Sequence, residues 1–195
     1  KMKVYKKNKK INNSEYIKIY SVRNEEEIKQ LFQNKVLKAN HEIIKKFWSE
    51  DENFLLSYNW MNQQCKLRLN NYNEQYPLWG WIKKPNKKLL YKEYKNQPFY
   101  IVKLIIKRNK VLISDFDLWH FILGDSYIPN KLKNLDKFDH ISVFQNRGSQ
   151  NEIQQVVDSW DKIFNIKKTR KCKQQCCFAE INLDNVIQIK KYQKG

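Results

Sequence analysis

Tyr16-Ile-Lys-Ile-Tyr-Ser-Val-Arg23, followed at once by Asn24-Glu-Glu-Glu-Ile-Lys-Gln-Leu-Phe32, decides the fold class. In the first half Ile17, Ile19 and Ser21 face one way and Lys18 and Tyr20 the other, the period of a half-buried strand. In the second half Asn24 is a helix-capping residue type, and Glu25, Glu26 and Glu27 suit the positive end of a helix dipole. Ile28, Leu31 and Phe32 then recur at helical spacing and supply a buried stripe. A strand that turns directly into an amphipathic helix sets the expectation of a sheet with helices packed on it.

The rest of the chain extends that pattern. Ser49-Glu-Asp-Glu52 predicts a capping box for a helix running to about Leu69, with Phe54, Leu55, Tyr58, Met61 and Cys65 on its apolar side. Tyr76 to Trp81 predicts a short strand with Trp79 and Trp81 on one face. Phe99–Ile106 reads as a buried strand, 107–110 as its turn, and Val111–Ser114 as renewed extended chain. Asp117 is then expected to cap a short helix through Leu118, Trp119 and Phe121 that ends near Gly124. Residues 125–148 show no period and read as a surface excursion. Ser149-Gln-Asn-Glu152 is a second capping box, ahead of the stripe Ile153, Val156, Val157, Trp160, Ile163 and Phe164. After a basic loop at 167–173, Cys176–Leu183 and Val186–Tyr192 are expected to close the sheet around an Asp184-Asn185 turn. The expectation is an α+β fold with a mixed or antiparallel sheet: a basic arm over 1–15, then one domain over 16–195.

Composition bounds the function. A chain of 195 residues that is 41% hydrophobic and 14% aromatic, with six Trp, four Gly and four Pro, has the means to bury a core. It contains no run of ~20 apolar residues, so no membrane span is expected. Cys65, Cys172, Cys176 and Cys177 lack the spacing of a disulfide framework or of a zinc site, which points to reduced thiols in a cytoplasmic protein. The formal net charge of +18 favours an anionic partner, either nucleic acid or an acidic protein. No phosphate-binding glycine loop, dinucleotide fingerprint or Ser-His-Asp order is present.

Val111-Leu-Ile-Ser-Asp-Phe-Asp-Leu-Trp-His120, together with Tyr58-Asn-Trp-Met61, Pro77-Leu-Trp-Gly-Trp81, Ser159-Trp-Asp-Lys-Ile-Phe164 and Gln175–Glu180, resembles the bacterial domain of unknown function 3841 family. The resemblance runs from about Tyr16 to Tyr192. Two positions depart from it: Ser21-Val-Arg23 stands where the family tends to carry Thr-x-Gln, and Phe178-Ala-Glu180 where it often carries Phe-Trp-Glu. The order of elements is also similar to the ADP-ribosyltransferase fold. That resemblance implies an enzyme using NAD, with Arg23 holding the dinucleotide, Glu180 at the nicotinamide ribose and Tyr58, Trp79 or Trp81 on the nicotinamide. Ser21 and Gln175 fall beside these in chain order.

Other candidates come from the residues themselves. Asp115 and Asp117 flank Phe116, so on extended chain both carboxylates share a face and suit a cation or a general acid–base pair; alternatively Asp117 caps a helix. His120, one turn on, is either a base or a structural residue. Three functions remain open: an NAD-dependent ADP-ribosyltransferase-like enzyme acting on nucleic acid or protein, a non-catalytic nucleic-acid-binding module, and a toxin–antitoxin-type component whose basic face docks an acidic protein.

Overall fold

A computed structural model describes residues 2–6, 14–47, 52–74, 76–95, 97–130, 138–166 and 173–193. The strands are β1 (Met2–Lys6), β2 (Tyr16–Arg23), β3 (Val36–Lys38), β4 (Leu78–Trp81), β5 (Phe99–Lys107), β6 (Leu112–Asp115), β7 (Gln174–Phe178), β8 (Glu180–Asn182) and β9 (Val186–Tyr192). The helices are α1 (Glu25–Asn34), α2 (His41–Phe47), α3 (Glu52–Arg68), α4 (Lys87–Glu93), α5 (Phe116–Leu123) and α6 (Gln150–Trp160). The larger sheet has the order β1-β9-β5-β2-β4-β7-β6, and β3 pairs with β8 in a smaller one. The pairings of β2 with β4 and β5, of β9 with β1 and β5, and of β3 with β8 are antiparallel, which gives the α+β class expected. Among the described residues no helix is long and apolar enough to cross a membrane.

The chain divides into two compact units: Lys1–Ala39, Cys65–Leu112 and Cys176–Gly195 form the first, Asn40–Gln64 and Ile113–Gln175 the second. In the first, the long ladder between β2 and β5 runs without a break from Tyr16↔Lys107 to Arg23↔Tyr100. Alternation along it buries Ile17, Ile19, Ser21 and Arg23 of β2 with Val102, Leu104 and Ile106 of β5. Asn24 ends the strand by turning it into α1: its side chain accepts from the Glu27 amide at 2.8 Å, and Glu27 returns a bond to the Asn24 amide at 2.9 Å. Leu90 of α4 covers part of the opposite sheet face, packing on Phe99, Ile101 and Tyr192, with Val22, Tyr20, Tyr91 and Tyr94 around them.

In the second unit Trp60 of α3 stands edge-on to Trp160 of α6 at 5.5 Å and stacks on Phe164 at 5.9 Å. The capping box at Ser149 and Glu152 forms as expected. The one at Ser49–Glu52 involves residues outside the described ones.

Three sequence expectations are corrected. Part of the amino-terminal arm, Met2–Lys6, is the edge strand β1 on β9; residues 7–13 lie outside the described ones. The segment 125–148 is not only a surface excursion, because Ile128, Phe138, Ile141 and Ser142 are buried. Within it the Asp125 carboxylate accepts from Ser142 Oγ at 2.5 Å and from the amides of Val143 and Phe144 at 3.1 and 3.3 Å, and the Ile128 amide donates to Ser159 Oγ at 2.9 Å. The closing strands are not a hairpin: the chain breaks at Ala179, β8 pairs with β3, and β9 pairs with β5 and β1.

Gly80 on β4 marks the tightest strand contact. A Cβ there would lie 3.0 Å from the Tyr20 carbonyl oxygen, 3.1 Å from the Phe178 ring and 3.4 Å from Cys176 Sγ. Gly80→Ala is therefore expected to lower stability by about 1–3 kcal/mol, read from the denaturant midpoint. An unchanged or higher midpoint would show that these neighbours separate at no cost.

Candidate functional site

Ser21 and Arg23 end β2 on its buried face, and β4 runs alongside through the Tyr20↔Trp81 pair. Arg23 Nη2 donates to Ser21 Oγ at 2.7 Å and to the Trp79 carbonyl at 2.9 Å, while Ser21 Oγ donates to the same carbonyl at 2.7 Å. Arg23 Nη1 meets Glu27 Oε1 at 3.1 Å. The guanidinium thus pins the end of β2 to β4 and to the first turn of α1. Its Nε is buried and has no hydrogen-bond partner among the described residues. Nearby, burial pushes the Cys176 thiol up to about 12 against the pull of Arg23, so that sulfur stays protonated and unreactive at neutral pH.

For Arg23 to hold a dinucleotide phosphate, Glu27 has to leave, and with it half of the capping box. Glu25 and Glu26 in the same helical turn also oppose an arriving anion. Glu180 is partly exposed. Because the strand breaks at Ala179, Phe178 is buried while the Glu180 side chain keeps 41% of its exposure, 3.9 Å from Lys38 Nζ. Lys38 is held more closely by Glu74, at 2.8 Å, and that bond is the main reason its pKa rises. The described contacts bring Ser21, Arg23 and Trp79 together and leave Glu180 with Lys38.

Tyr58 and Gln175 belong to the second unit. Tyr58 stands edge-on to Trp119 at 6.1 Å. Gln175 is buried, and its Nε2, like Ser114 Oγ, finds no hydrogen-bond partner among the described residues. The two aspartates are separated, which corrects the shared-face expectation and the choice of cap. Helix α5 begins at Phe116, so Asp115 is its N-cap: Oδ1 accepts from the amides of Asp117 at 2.9 Å and Leu118 at 3.2 Å. Asp115 is buried and Asp117 is exposed. His120 Nδ1 lies 2.9 Å from the Phe116 carbonyl, an acceptor, so in the neutral ring Nδ1 carries the proton and Nε2 is the basic atom. A cavity of about 550 Å³ in the second unit is lined by Asn53, Phe121, Asp125, Tyr127, Gln145 and Arg147, among others. Its Asp125 carboxylate is already committed to the loop, as described above.

The feature missed by sequence reasoning is a cross-strand row in the first unit. Tyr20 lies opposite Trp81 on one side and Lys103 on the other, and Lys103 lies opposite Gln188. Directly opposed residues share a face, so the row Trp81–Tyr20–Lys103–Gln188 crosses β4, β2, β5 and β9, a span of about 14 Å at the usual strand spacing. Lys18 and Lys190 stand on the same face, two residues along from Tyr20 and Gln188. Lys18 is exposed, and the row and Lys190 are half-buried. The open positions of these strands carry no carboxylate. Helix α4 borders this face with a dense basic segment, in which Lys83, Lys84, Lys87, Lys88, Lys92 and Lys95 face one acid, Glu93. That lysine density was visible in the sequence; the cross-strand partners were not.

Asp115→Ala is expected to lower stability by about 0.5–2 kcal/mol, whereas Asp117→Ala changes it by less than about 0.5 kcal/mol, both read by thermal melts. The reverse order would return the cap to Asp117.

No curated protein and no solved structure matches the chain. A family model described as domain of unknown function (DUF3841) matches residues 18–187. That match takes in β2 from Lys18 to its Ser21–Arg23 end, β4, the Asp115 cap and Trp81, Tyr20 and Lys103 of the row, and the chain belongs to the DUF3841 family.

Proposed function

We propose that the chain binds nucleic acid through the open face of the first unit's sheet. The observation that carries it is the row Trp81–Tyr20–Lys103–Gln188, flanked by Lys18 and Lys190 on a face whose strands present no carboxylate. Lysines at these positions neutralise phosphates and release condensed counterions, and the aromatic rings beside them offer surfaces on which bases stack. The α4 lysines extend the positive field along one border. The basic loop expected at 167–173 lies outside the described residues except for Lys173, which is exposed over the Phe116 ring.

Titration of a labelled oligonucleotide by fluorescence anisotropy tests this. Binding is expected at low salt, with log K falling linearly as log salt rises. Replacing Lys18, Lys103 and Lys190 together by Gln should reduce that slope by about 2. The same charge change at exposed Lys29, Lys66 and Lys110 should leave the slope unaltered. Equal losses in the two triple variants would assign binding to net charge rather than to this face. No binding at low salt would remove nucleic acid and leave an acidic protein as the partner, as a toxin–antitoxin-type component requires.

A second proposal, an ADP-ribosyltransferase-like activity with NAD, is favoured by the convergence of Ser21, Arg23 and Trp79 and by the unpartnered, buried Arg23 Nε. It requires Glu27 to release Arg23. Calorimetry with NAD and a nicotinamide-release assay on the wild type and on Glu180→Gln test it. NAD binding in both proteins, with release lost in the variant, is the expected result. A wild type that neither binds nor consumes NAD removes the enzyme.

A further inference from the structure

We infer that the ligand of the open sheet face is a single-stranded polynucleotide, RNA or DNA, and not a duplex; this rests on the nucleic-acid reading above. The row is built from side chains standing on the pleated surface of four paired strands. In a duplex the base faces are stacked on one another, and only edges and phosphates are presented to a protein. The phosphates alone would be met equally well by any cationic face. The row, however, sets Trp81 opposite Tyr20 on neighbouring strands, both half-buried, with a lysine, Lys103, opposite Tyr20 on its other side. Unstacked bases need flat rings, and their backbone needs cations within a nucleotide's reach, which is this arrangement.

The helix bordering the face supports the same ligand. Leu90 anchors α4 on Phe99, Ile101 and Tyr192, which sets Lys87, one turn before it, at the border of this face. Lys87 Nζ lies 6.0 Å from the centre of the buried Tyr192 ring, so this border carries a cation. A strand with its bases on Trp81 and Tyr20 meets cations for its phosphates at Lys103 and Lys18 on the sheet and at Lys87 on the α4 border.

The test uses the full chain with a fluorescent 12-nucleotide strand of mixed sequence, as RNA and as DNA, and the blunt duplex of the same sequence. The expected result is single-strand affinity at least about tenfold above duplex affinity. Trp81→Ala should weaken single-strand binding about 5- to 100-fold without altering the salt slope, and Trp81→Phe, which keeps a flat ring, should restore most of it. If Trp81→Ala does not fold, Tyr20→Leu serves, with the same loss expected. A preference for RNA over DNA would add the 2′-hydroxyl to the recognised groups, and equal affinity would confine recognition to rings and phosphates; both support a single strand. Duplex binding as tight as single-strand binding, or equal losses on both ligands in the Trp81 and Tyr20 variants, overturns the inference while nucleic-acid binding itself stands. Absence of binding to all three ligands at low salt overturns the nucleic-acid reading from which it starts.

Discussion

The uninterrupted antiparallel ladder between β2 and β5 is the constraint on which the first unit depends. Because side chains alternate with a period of two, its register decides at once which residues are core and which are surface. Ile17, Ile19, Val102, Leu104 and Ile106 go in; Lys18, Tyr20, Lys103 and Ile105 stay on the other side. A slip of one residue would bury Lys18 and Lys103 and expose the isoleucines, so the apolar face that stabilises the sheet also fixes the positive face that is offered to a ligand. The neighbours follow from the same register. Strand β9 adds Gln188 and Lys190 to that face, β4 adds Trp81, and α4 packs where Val22, Ile101, Phe99 and Tyr192 are apolar, with Tyr20 at the edge of that cluster.

Arg23 shows how that constraint reaches the next element. A buried guanidinium is costly unless its donors are satisfied. Here Ser21, the Trp79 carbonyl and Glu27 satisfy most of them, and through Glu27 the strand end is tied to the capping box of α1. The residue that most resembles a ligand clamp in chain order is therefore also a structural joint between β2, β4 and α1. Its buried Nε is a donor that nothing among the described residues satisfies.

What was legible in the sequence was local. The caps at Asn24 and Ser149 depend on residues three apart, and both formed as read. The alternation of Tyr16–Arg23 was visible because it lies within one strand. The α5 cap was misassigned because Asp115 and Asp117 both satisfy the cap pattern, and only the two extra residues of helix, Phe116 and Asp117, distinguish them. Glu180 and Phe178 part because the chain leaves β7 at Ala179 and pairs with β3 instead, a break that strand alternation does not mark. Burial within 125–148 was hidden because Asp125 and Ser142 arrange it through a loop with no period. The cross-strand row was beyond reach, since Trp81, Tyr20, Lys103 and Gln188 become neighbours only through pairings that no local pattern encodes.

Backbone amide NMR of the full chain, titrated with a short oligonucleotide at low salt, tests the account most directly. The predicted result is a set of shifts on the open face, at Lys18 to Tyr20, Trp81, Lys103 to Ile105 and Gln188 to Lys190, continuing onto Lys87–Lys92 of α4. Shifts confined to the second unit, or absent from Tyr20, Trp81 and Lys103 while binding occurs, would contradict it.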